Sequence, residues 1–359
     1  MAAEKTGRNT GKTYPGRRRR GQYSARRRRR KLLRLLSVAA LLIAAVSVGI
    51  LADRLEKRER TETVGSLEEP GFEVIFLDVG EADAALVTAD GHSMLVDGGN
   101  RDDSALVYDV LQREGVRRLD YVAASHAHED HAGGLVSVFG VIEKAVSEED
   151  GKPVFERSLQ AAIPAGGILV PQADSDNYFF HELVTMAAKS GVPVRVPSAG
   201  ETFDLGGARV TVLGPVRSAE EILSDEYHNV NNTSLVLRIE YGEISVLFTG
   251  DAEWAEEGEI VEFFRNEEPS PLDCTILKTA HHGSTTSTSA AFLEAAAPEY
   301  AVISCGAGNG NGHPHSQTVE KLEASGAEIL RTDLQGEVRF VSDGKVLSIS
   351  TGGEAAEGE

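Results

Sequence analysis

The stretch Tyr121–Leu135, which reads YVAASHAHEDHAGGL, decides the fold of this chain. Its apolar start is typical of a buried β-strand, and three histidines and an aspartate follow that strand within six residues. Alternation along an extended chain lets His126 and His128 point the same way, while Asp130 and His131 aim at an adjacent point. A surface histidine cluster has no reason to follow a buried strand, to include an acid or to precede paired glycines. The loop therefore predicts a site that serves two metal ions.

The other histidines indicate where further ligands come from. Seven of the ten histidines fall in three places, of which this loop is the first. His281 and His282 follow an apolar, strand-like run, and His313 and His315 lie in a Gly/Asn-rich loop. We therefore predict a single site, assembled at the ends of several strands.

Strand-like and helix-like segments alternate along residues 71–350, the predicted folded domain. Two successive halves, each running from β to α, predict a sandwich of two sheets with helices outside. The segments predicted as strands are 72–79, 84–88, 92–97, 119–125, 167–171, 192–196, 208–213, 234–241, 244–249, 274–279, 300–304, 327–331 and 336–349. The segments predicted as helices are 104–114, 133–146, 180–190, 252–265, 288–296 and 316–325.

The chain begins with a basic arm and an apolar run. Residues 1–34 carry 14 Lys+Arg and one Glu, a net charge of +13 that leaves −33 on the rest. Residues 35–52 are 18 residues without a charge, close to the minimum of about 17 for a membrane-spanning helix. We predict a retained transmembrane anchor there. A cleaved secretory signal is the alternative, because small residues recur inside the apolar run.

The positive-inside rule predicts the orientation of this anchor. The arm at 1–34 is expected in the cytoplasm, where it contacts anionic membrane lipid rather than DNA. A juxtamembrane stalk at 53–70 then leads to an extracytoplasmic domain, and a flexible tail follows at 351–359. Cys274 and Cys305 are compatible with a disulfide in that oxidising space, or with two buried free thiols.

Seven stretches, taken in order, closely resemble the metallo-β-lactamase-like C-terminal domain of the ComEC/Rec2 competence family, over about residues 72–345. They are FLDVGEADA (76–84), LVDGG (95–99), SHAHEDHAGG (125–134), NNTSL (231–235), LFTGD (247–251), LKTAHHGS (277–284) and GHPH (312–315). The resemblance implies an α/β protein with the four-layer αββα metallo-β-lactamase fold, here preceded by one transmembrane helix. It also implies a metal-dependent hydrolase.

The same resemblance implies a ligand set for one or two ions: His126, His128, Asp130, His131, Asp251, His281 and His282. It places the first two on one ion, Asp130 and His131 on the other, and Asp251 between both, which leaves a shared hydroxide as nucleophile. The pair His281 and His282 supplies a further ligand, and the resemblance leaves open which of the two binds the metal. Asp251 alone is also compatible with the N-cap of a helix.

Further side chains are expected around the ligands. Four of them orient the ligands: Asp83, Asp97, Asn232 and Ser234. For the two aspartates, capping a turn is the alternative. His313 and His315 are predicted to be catalytic, by binding an anionic substrate group or by protonating a leaving group. Asp130 is counted as catalytic as well as a ligand.

Two features depart from the family pattern. The usual Gly-Gln-Gly-Asp reads Gly80–Asp83, GEAD, which adds a charge near the site. A histidine that metallo-β-lactamases place near residues 231–234 is missing, and His228 is offset. The ion on the His126 side is then expected to be completed by water. Imidazole ligands favour Zn²⁺, whereas carboxylate and water also admit Mn²⁺.

These observations predict a membrane-anchored, extracytoplasmic phosphodiesterase or nuclease. The charge of −33 after residue 34 disfavours a long duplex and favours a small, cell-wall or single-stranded substrate. Two alternatives belong to other classes. One is a β-lactam or thioester hydrolase, which the missing histidine disfavours. The other is a non-catalytic binding protein, against which the retention of every ligand-type residue argues.

Overall fold

The computed structural model describes residues 71–149, 152–172, 177–224 and 229–352. The strands in these ranges are β1 (Phe72–Phe76), β2 (Ala84–Ala89), β3 (His92–Gly98), β4 (Tyr121–Ala123), β5 (Val141–Glu149), β6 (Lys152–Leu159), β7 (Ile168–Leu169), β8 (Val194–Arg195), β9 (Thr202–Leu205), β10 (Ala208–Gly214), β11 (Val236–Tyr241), β12 (Ile244–Phe248), β13 (Ile276–Lys278), β14 (Tyr300–Ile303), β15 (Glu328–Arg331), β16 (Val338–Ser342) and β17 (Leu347–Thr351).

The α-helices in the same ranges are α1 (Ser104–Arg113), α2 (Glu129–Ala132), α3 (Tyr178–Lys189), α4 (Ala219–Ser224), α5 (Trp254–Phe264), α6 (Ala290–Ala296), α7 (Ser316–Ser325) and α8 (Thr332–Gln335). Short 3-10 helices lie at Arg101–Asp103, Gly133–Phe139, Val230–Thr233 and Ala280–Gly283.

Two large mixed sheets carry the fold. The first has the strand order β17-β16-β1-β2-β3-β4-β7-β8, and the second has the order β15-β14-β13-β12-β11-β10-β9. In the second sheet, β12 to β15 run parallel. Each parallel connection therefore needs a crossover, and α5, α6 and α7 supply these crossovers in turn.

Three apolar clusters show how the layers pack. Because side chains alternate along a strand, Val74 and Phe76 of β1 enter the cluster between the two sheets, while Ile75 enters the cluster under α1 and α3. A third cluster joins the second sheet to its crossover helices, for example through Ile260 and Phe292. Helices thus cover the outer face of each sheet, and the predicted α/β fold is confirmed.

The prediction of a helix over 133–146 is wrong. The 3-10 helix Gly133–Phe139 ends at Gly140, whose φ of 72° lies in the left-handed region. A Cβ there would lie 2.3 Å from the carbonyl oxygen of Gln160, so only glycine fits. After this turn the chain is extended, and β5 pairs with β6 as a separate antiparallel hairpin.

The predictions for the two ends of the chain lie largely outside the described residues. These are the arm at 1–34, the anchor at 35–52, the stalk at 53–70 and most of the tail. Within the part that the structure does describe, no helix is both long enough and apolar enough to cross a bilayer. At the C-terminal end, β17 continues to Thr351, one residue past the predicted boundary. Cys274 and Cys305 are buried free thiols, which decides between the two alternatives for them.

Candidate metal centre

The predicted ligands come together at one edge of the two sheets. The segment from the end of β4 through α2 carries His126, His128, Asp130 and His131. In the second sheet, the segments after β12 and β13 carry Asp251, His281 and His282, and the segment after β14 carries His313 and His315. Because β12, β13 and β14 are parallel, their carboxyl ends meet at the same edge. The strand order therefore gathers ligand-type side chains that are far apart in the sequence.

Four residues form the deeper of two clusters: Asp130, His131, Asp251 and His282. One candidate ligand atom from each lies within 4.8 Å of the others. His131 Nε2 lies 3.2 Å from Asp251 Oδ1, and His282 Nε2 lies 3.3 Å from Asp130 Oδ2. His131, Asp251 and His282 are almost completely buried, whereas Asp130 is partly exposed. This group is called the four-residue cluster below.

His126, His128 and Asp251 form a second group, the three-residue cluster. His126 Nε2 lies 3.0 Å from His128 Nδ1 and 3.8 Å from Asp251 Oδ2. Asp251 thus turns Oδ1 towards the four-residue cluster and Oδ2 towards this one. The helix after it begins at Trp254 and has Glu253 at its N-cap, so Asp251 does not cap that helix.

Buried polar atoms in the four-residue cluster indicate that it can hold a cation. Among the described side chains, His131 Nε2, Asp251 Oδ1 and His282 Nε2 are buried and form no well-aligned hydrogen bond, although each lies 3.2–3.3 Å from a neighbour within the cluster. A buried polar atom without a partner costs about 1–3 kcal/mol, so native proteins rarely leave one unpaired. Imidazole nitrogens and carboxylate oxygens directed at one point match the ligands of Zn²⁺. The residues therefore fit a divalent metal.

Burial and charge shift the pKa values of His131 and His282 in one direction and that of His126 in the other. Burial lowers the pKa of an imidazole, but Asp251 and the neighbouring carboxylates outweigh it at His131, whose pKa rises well above the usual range. In the same way, the pKa of His282 rises to about 10. At His126, burial and the charge of His131 together lower the pKa well below the usual range. The carboxylates thus stabilise positive charge at the four-residue cluster, which is what a bound cation needs.

Asp251 shows the reciprocal effect. Burial alone raises the pKa of a carboxyl, yet the positive charges of His131 and His282 hold the pKa of Asp251 well below its usual range. Asp251 is therefore ionised, as a carboxylate shared by two cations must be.

Asp97 and Asp83 lie behind the histidine rings. Asp97 Oδ2 lies 2.9 Å from His131 Nδ1, and Asp97 Oδ1 accepts a hydrogen bond from the amide of Ser125. Asp83 lies 3.4 Å from His282 Nδ1 and forms a 2.5 Å ion pair with Lys278. Both carboxylates therefore contact ring nitrogens that face away from the candidate ion, which leaves Nε2 of each ring free for it.

Two residues at the centre were missed by the sequence analysis. Lys278 is buried at the end of β13 and neutralises Asp83. The hydroxyl of Ser125 lies 3.1 Å from His126 Nδ1 and 3.2 Å from His131 Nδ1, so it links the two clusters. The signal for Lys278 was a lysine that ends an apolar strand directly before the histidine pair, since a lysine is almost never buried without a partner.

Asn232 and Ser234 act on the loop that carries Asp251. Ser234 Oγ accepts a hydrogen bond from the amide of Asp251, and Asn232 Oδ1 accepts one from the amide of Glu253. Their contacts are therefore with the backbone next to the shared carboxylate rather than with histidine rings.

The backbone at His281 and His282 separates the two rings. Both residues have a φ of 52°, in the left-handed region, which costs roughly 1–2 kcal/mol for each residue with a side chain. His282 turns inward, where its Nδ1 donates to the carbonyl of Ser304 and its Nε2 faces the four-residue cluster. His281 lies at the rim, with Nδ1 3.0 Å from the hydroxyl of Thr286 and Nε2 3.8 Å from Asp251 Oδ2.

His313 and His315 occupy different positions. The ring of His313 lies 5.6 Å from that of His281, and its Nδ1 lies 2.6 Å from a carboxylate oxygen of Glu81. The other oxygen of Glu81 accepts from the amide of Gly306. His315 accepts a hydrogen bond from the amide of Thr285, which ties its ring to the neighbouring loop. Of the two, His313 is the one held against the centre, and Glu81 orients it.

Comparison with known proteins gives matches over most of the chain. A family model described as the metallo-beta-lactamase superfamily matches residues 77–307. ComE operon protein 3 of Bacillus subtilis is 25% identical over 296 residues, which are 77% of this chain and 34% of that protein. Competence protein ComA of Neisseria gonorrhoeae is 31% identical over 264 residues, 73% of this chain and 31% of that protein. The predicted resemblance is confirmed.

These relatives are much longer proteins, and the chain spans about a third of their length. Among solved structures, the metallo-beta-lactamase fold protein YhfI from Bacillus subtilis aligns with 72% of this chain and 96% of its own, at 13% identity and a TM-score of 0.44.

Proposed function

The chain belongs to the metallo-beta-lactamase superfamily, and from that premise we propose that it is a metal-dependent phosphodiesterase. The observation that carries the proposal is the pair of ligand clusters joined by one ionised, buried carboxylate, Asp251. Two adjacent divalent cations, when bound, act as Lewis acids on a phosphoryl oxygen and lower the pKa of water. Two clusters that share a carboxylate are suited to an in-line displacement at phosphorus, because the attacking oxygen and the leaving oxygen both need stabilising.

The residues of the chain itself have separate tasks in this proposal. Asp97 and Asp83 orient the rings of His131 and His282. His313, directed by Glu81, lies beside His281 at the rim and is placed to donate a proton to the leaving group. We propose Zn²⁺ as the ion, one or two per chain, because imidazole nitrogens dominate the ligand set; Mn²⁺ is also admitted by the carboxylates.

The charge of the chain supports a short or single-stranded substrate. The sequence after residue 34 carries a net charge of −33, which repels an extended polyanion within about 10 Å at 0.1 M salt. A small, cell-wall or single-stranded phosphodiester meets less of this field. The name of the relative from Neisseria gonorrhoeae refers to competence, but the chain spans about a third of the length of both relatives, so the proposal extends only to the hydrolytic domain.

We also propose that residues 35–52 anchor the domain to the outer face of a membrane, with the Arg-rich arm on the cytoplasmic side against anionic lipid. The support is the charge pattern of the sequence alone. Protease added to intact cells should remove the domain and leave the arm. Protection of the domain until the cells are lysed would reverse this orientation.

The activity is tested on the full-length protein, purified in detergent, stripped with chelator and reloaded with Zn²⁺ or Mn²⁺. We expect chelator-sensitive release of nitrophenol from bis(p-nitrophenyl) phosphate, and cleavage of single-stranded oligonucleotides in preference to duplex. A β-lactam substrate serves as the comparison. Failure to cleave any phosphodiester with either metal would refute the proposal, and hydrolysis of the β-lactam instead would favour the alternative class.

A further inference from the structure

A cavity of about 620 Å³ opens beside the metal centre. Asn232, Glu253, Trp254, Ala255, Thr285 and Thr286 line it. Two of these side chains also contact His281, because Thr286 Oγ1 lies 3.0 Å from its Nδ1 and Glu253 Oε1 lies 3.6 Å from the same atom. The cavity and the rim of the centre therefore share a wall, and a substrate held at the centre can extend into the cavity.

Trp254 is the largest of the residues that line this cavity. It is the only tryptophan of the chain, and 56% of its surface is exposed. In the part of the chain that the structure describes, it belongs to none of the apolar clusters that form the core. A large aromatic side chain left outside the core beside a ligand-type site is typical of a binding surface.

The indole is held rigidly in this position. Its Nε1 donates a hydrogen bond to the carbonyl of Ser287, and the amide of Trp254 donates to the carbonyl of Thr286. The ammonium of Lys321 lies 5.7 Å from the ring centroid and is itself fixed by the carbonyls of Ser287 and Thr288. The indole Nε1 already has its hydrogen bond, and contacts of the backbone amide and of Lys321 hold the ring in place. Little side-chain entropy is therefore lost when a ligand stacks on the ring.

The polar groups around the indole indicate the chemistry of the ligand. The carboxylate of Glu253 lines the cavity and accepts hydrogen bonds, as from amino groups. The hydroxyls of Thr285 and Thr286 both donate and accept. A planar, uncharged ring with polar edges matches this wall, and a nucleobase is such a ring.

We propose that this cavity binds a nucleobase of the substrate, stacked on Trp254, next to the phosphodiester at the metal centre. The inference rests on the proposed function and names its substrate class, which is single-stranded nucleic acid or a nucleotide derivative. Stacking tolerates every base because every base has a π-face, so no sequence preference follows. Bases paired in a duplex are not available for the cavity, which adds a second reason for the expected preference for single strands.

Binding is tested by the fluorescence of Trp254, which reports on the cavity alone because the chain has no other tryptophan. The full-length protein in detergent is titrated with adenosine monophosphate, and with ribose 5-phosphate as the probe that lacks the base. We expect saturable quenching by the first and none by the second. Phe263→Ala, which removes an exposed aromatic side chain elsewhere on α5, should leave the quenching intact. Equal responses to both probes would overturn the proposal.

Kinetics provide the second test. A single-stranded oligonucleotide is compared with an abasic backbone of the same length, and the KM ratio of the two substrates is measured. The wild-type protein should favour the oligonucleotide, and Trp254→Ala should shrink this preference by roughly 5- to 100-fold, the range of base–aromatic stacking. Trp254→Phe should retain most of it, and metal content measured in each variant detects misfolding. The Phe263→Ala control should keep the full ratio.

The two proposals fail in different ways. Cleavage of both substrates with the same KM, without quenching by adenosine monophosphate, overturns the base-binding cavity and leaves the phosphodiesterase standing. Absence of cleavage with Zn²⁺ and with Mn²⁺ overturns the phosphodiesterase, and the quenching experiment then decides the cavity on its own.

Discussion

The four-residue and three-residue clusters share Asp251 but differ in depth and in ligand number. The first contains two buried histidines and two carboxylates, and three of its buried atoms lack any other partner. The second contains two histidines and the shared carboxylate, and His128 is only partly buried. Its neighbours at the rim are His281 and the cavity beside Trp254.

This difference has a physical consequence. A site closed by four protein ligands holds its ion firmly, whereas a site with three keeps a position for water or substrate. We therefore expect the four-residue cluster to bind its ion more tightly, and the three-residue cluster to be where substrate enters. Asn232, from the segment in which the metallo-β-lactamase histidine is missing, lines the cavity next to the three-residue cluster. The water ligand expected at that cluster stays a prediction.

Removal of the shared ligand should have the largest effect, because it breaks both clusters. Asp251→Asn is expected to lose metal from both and to lower hydrolysis by more than about 100-fold, beyond the roughly 10–100-fold that removal of an orienting residue costs. Metal analysis and turnover measure this. Asp109→Asn, on an exposed face of α1, is the matched control. Full metal and full activity in Asp251→Asn would show that the carboxylate is not shared.

A paired substitution separates the two clusters. His282→Ala should release the more tightly bound ion, because it removes a buried ligand of the four-residue cluster. His128→Ala should spare that ion and release only the weaker one. Metal content after dialysis against increasing chelator gives the order of release. Loss of the same ion in both variants would contradict the asymmetry between the clusters.

Asp97→Asn tests whether the orienting contacts are specific to one cluster. Asp97 contacts His131, so the ion of the four-residue cluster should lose roughly 10–100-fold in affinity. The ion on the His126 side should be affected less. Competition with a chromophoric chelator measures both affinities, and an equal loss at both clusters would mean that Asp97 supports the loop rather than one ring.

The clusters should also differ in their response to pH. Nearby carboxylates raise the pKa of His131 well above the usual range and that of His282 to about 10, so both rings hold protons at neutral pH without metal. Metal must displace these protons, and affinity should fall as pH falls, by roughly tenfold per unit for each proton released.

His126, whose pKa is lowered, is already neutral, so its cluster should release fewer protons. Calorimetry in two buffers with different ionisation enthalpies counts the protons for each ion. More protons released at the three-residue cluster than at the four-residue cluster would reverse this assignment.

Glu81→Gln should have the smallest effect. Glutamine keeps one of the two hydrogen bonds that Glu81 makes to His313 and Gly306 but removes the charge, which costs on the order of 1 kcal/mol, or about fivefold in turnover. Metal content should stay the same at both clusters. A loss of metal instead would show that Glu81 supports the ligands and not the rim.

Most of the strands and helices can be predicted from the sequence because each pattern is local. Helix 316–325 coincides with α7, since Val319 and Leu322 lie one turn apart and Gly326 ends the helix. The helix prediction for 133–146 was wrong for a reason that the segment itself does not contain. Apolar residues after paired glycines are compatible with a helix and with a hairpin strand. Pairing of β5 with β6, in which Val141 lies opposite Leu159 and Ala145 opposite Phe155, decided the outcome.

The ligand types and their order were determined by the sequence itself, because the loop from His126 to His131 holds its donors within one short segment after a strand. Only the tertiary structure decided which histidine of the later pair faces the deeper cluster. Consecutive left-handed residues turn the rings of His281 and His282 in different directions, and sequence spacing does not encode that turn. The ion pair of Asp83 with Lys278 likewise depends on two sheets packing face to face. Asp83 directly precedes β2 of the first sheet and Lys278 ends β13 of the second, so the two residues meet only when the core between the sheets closes.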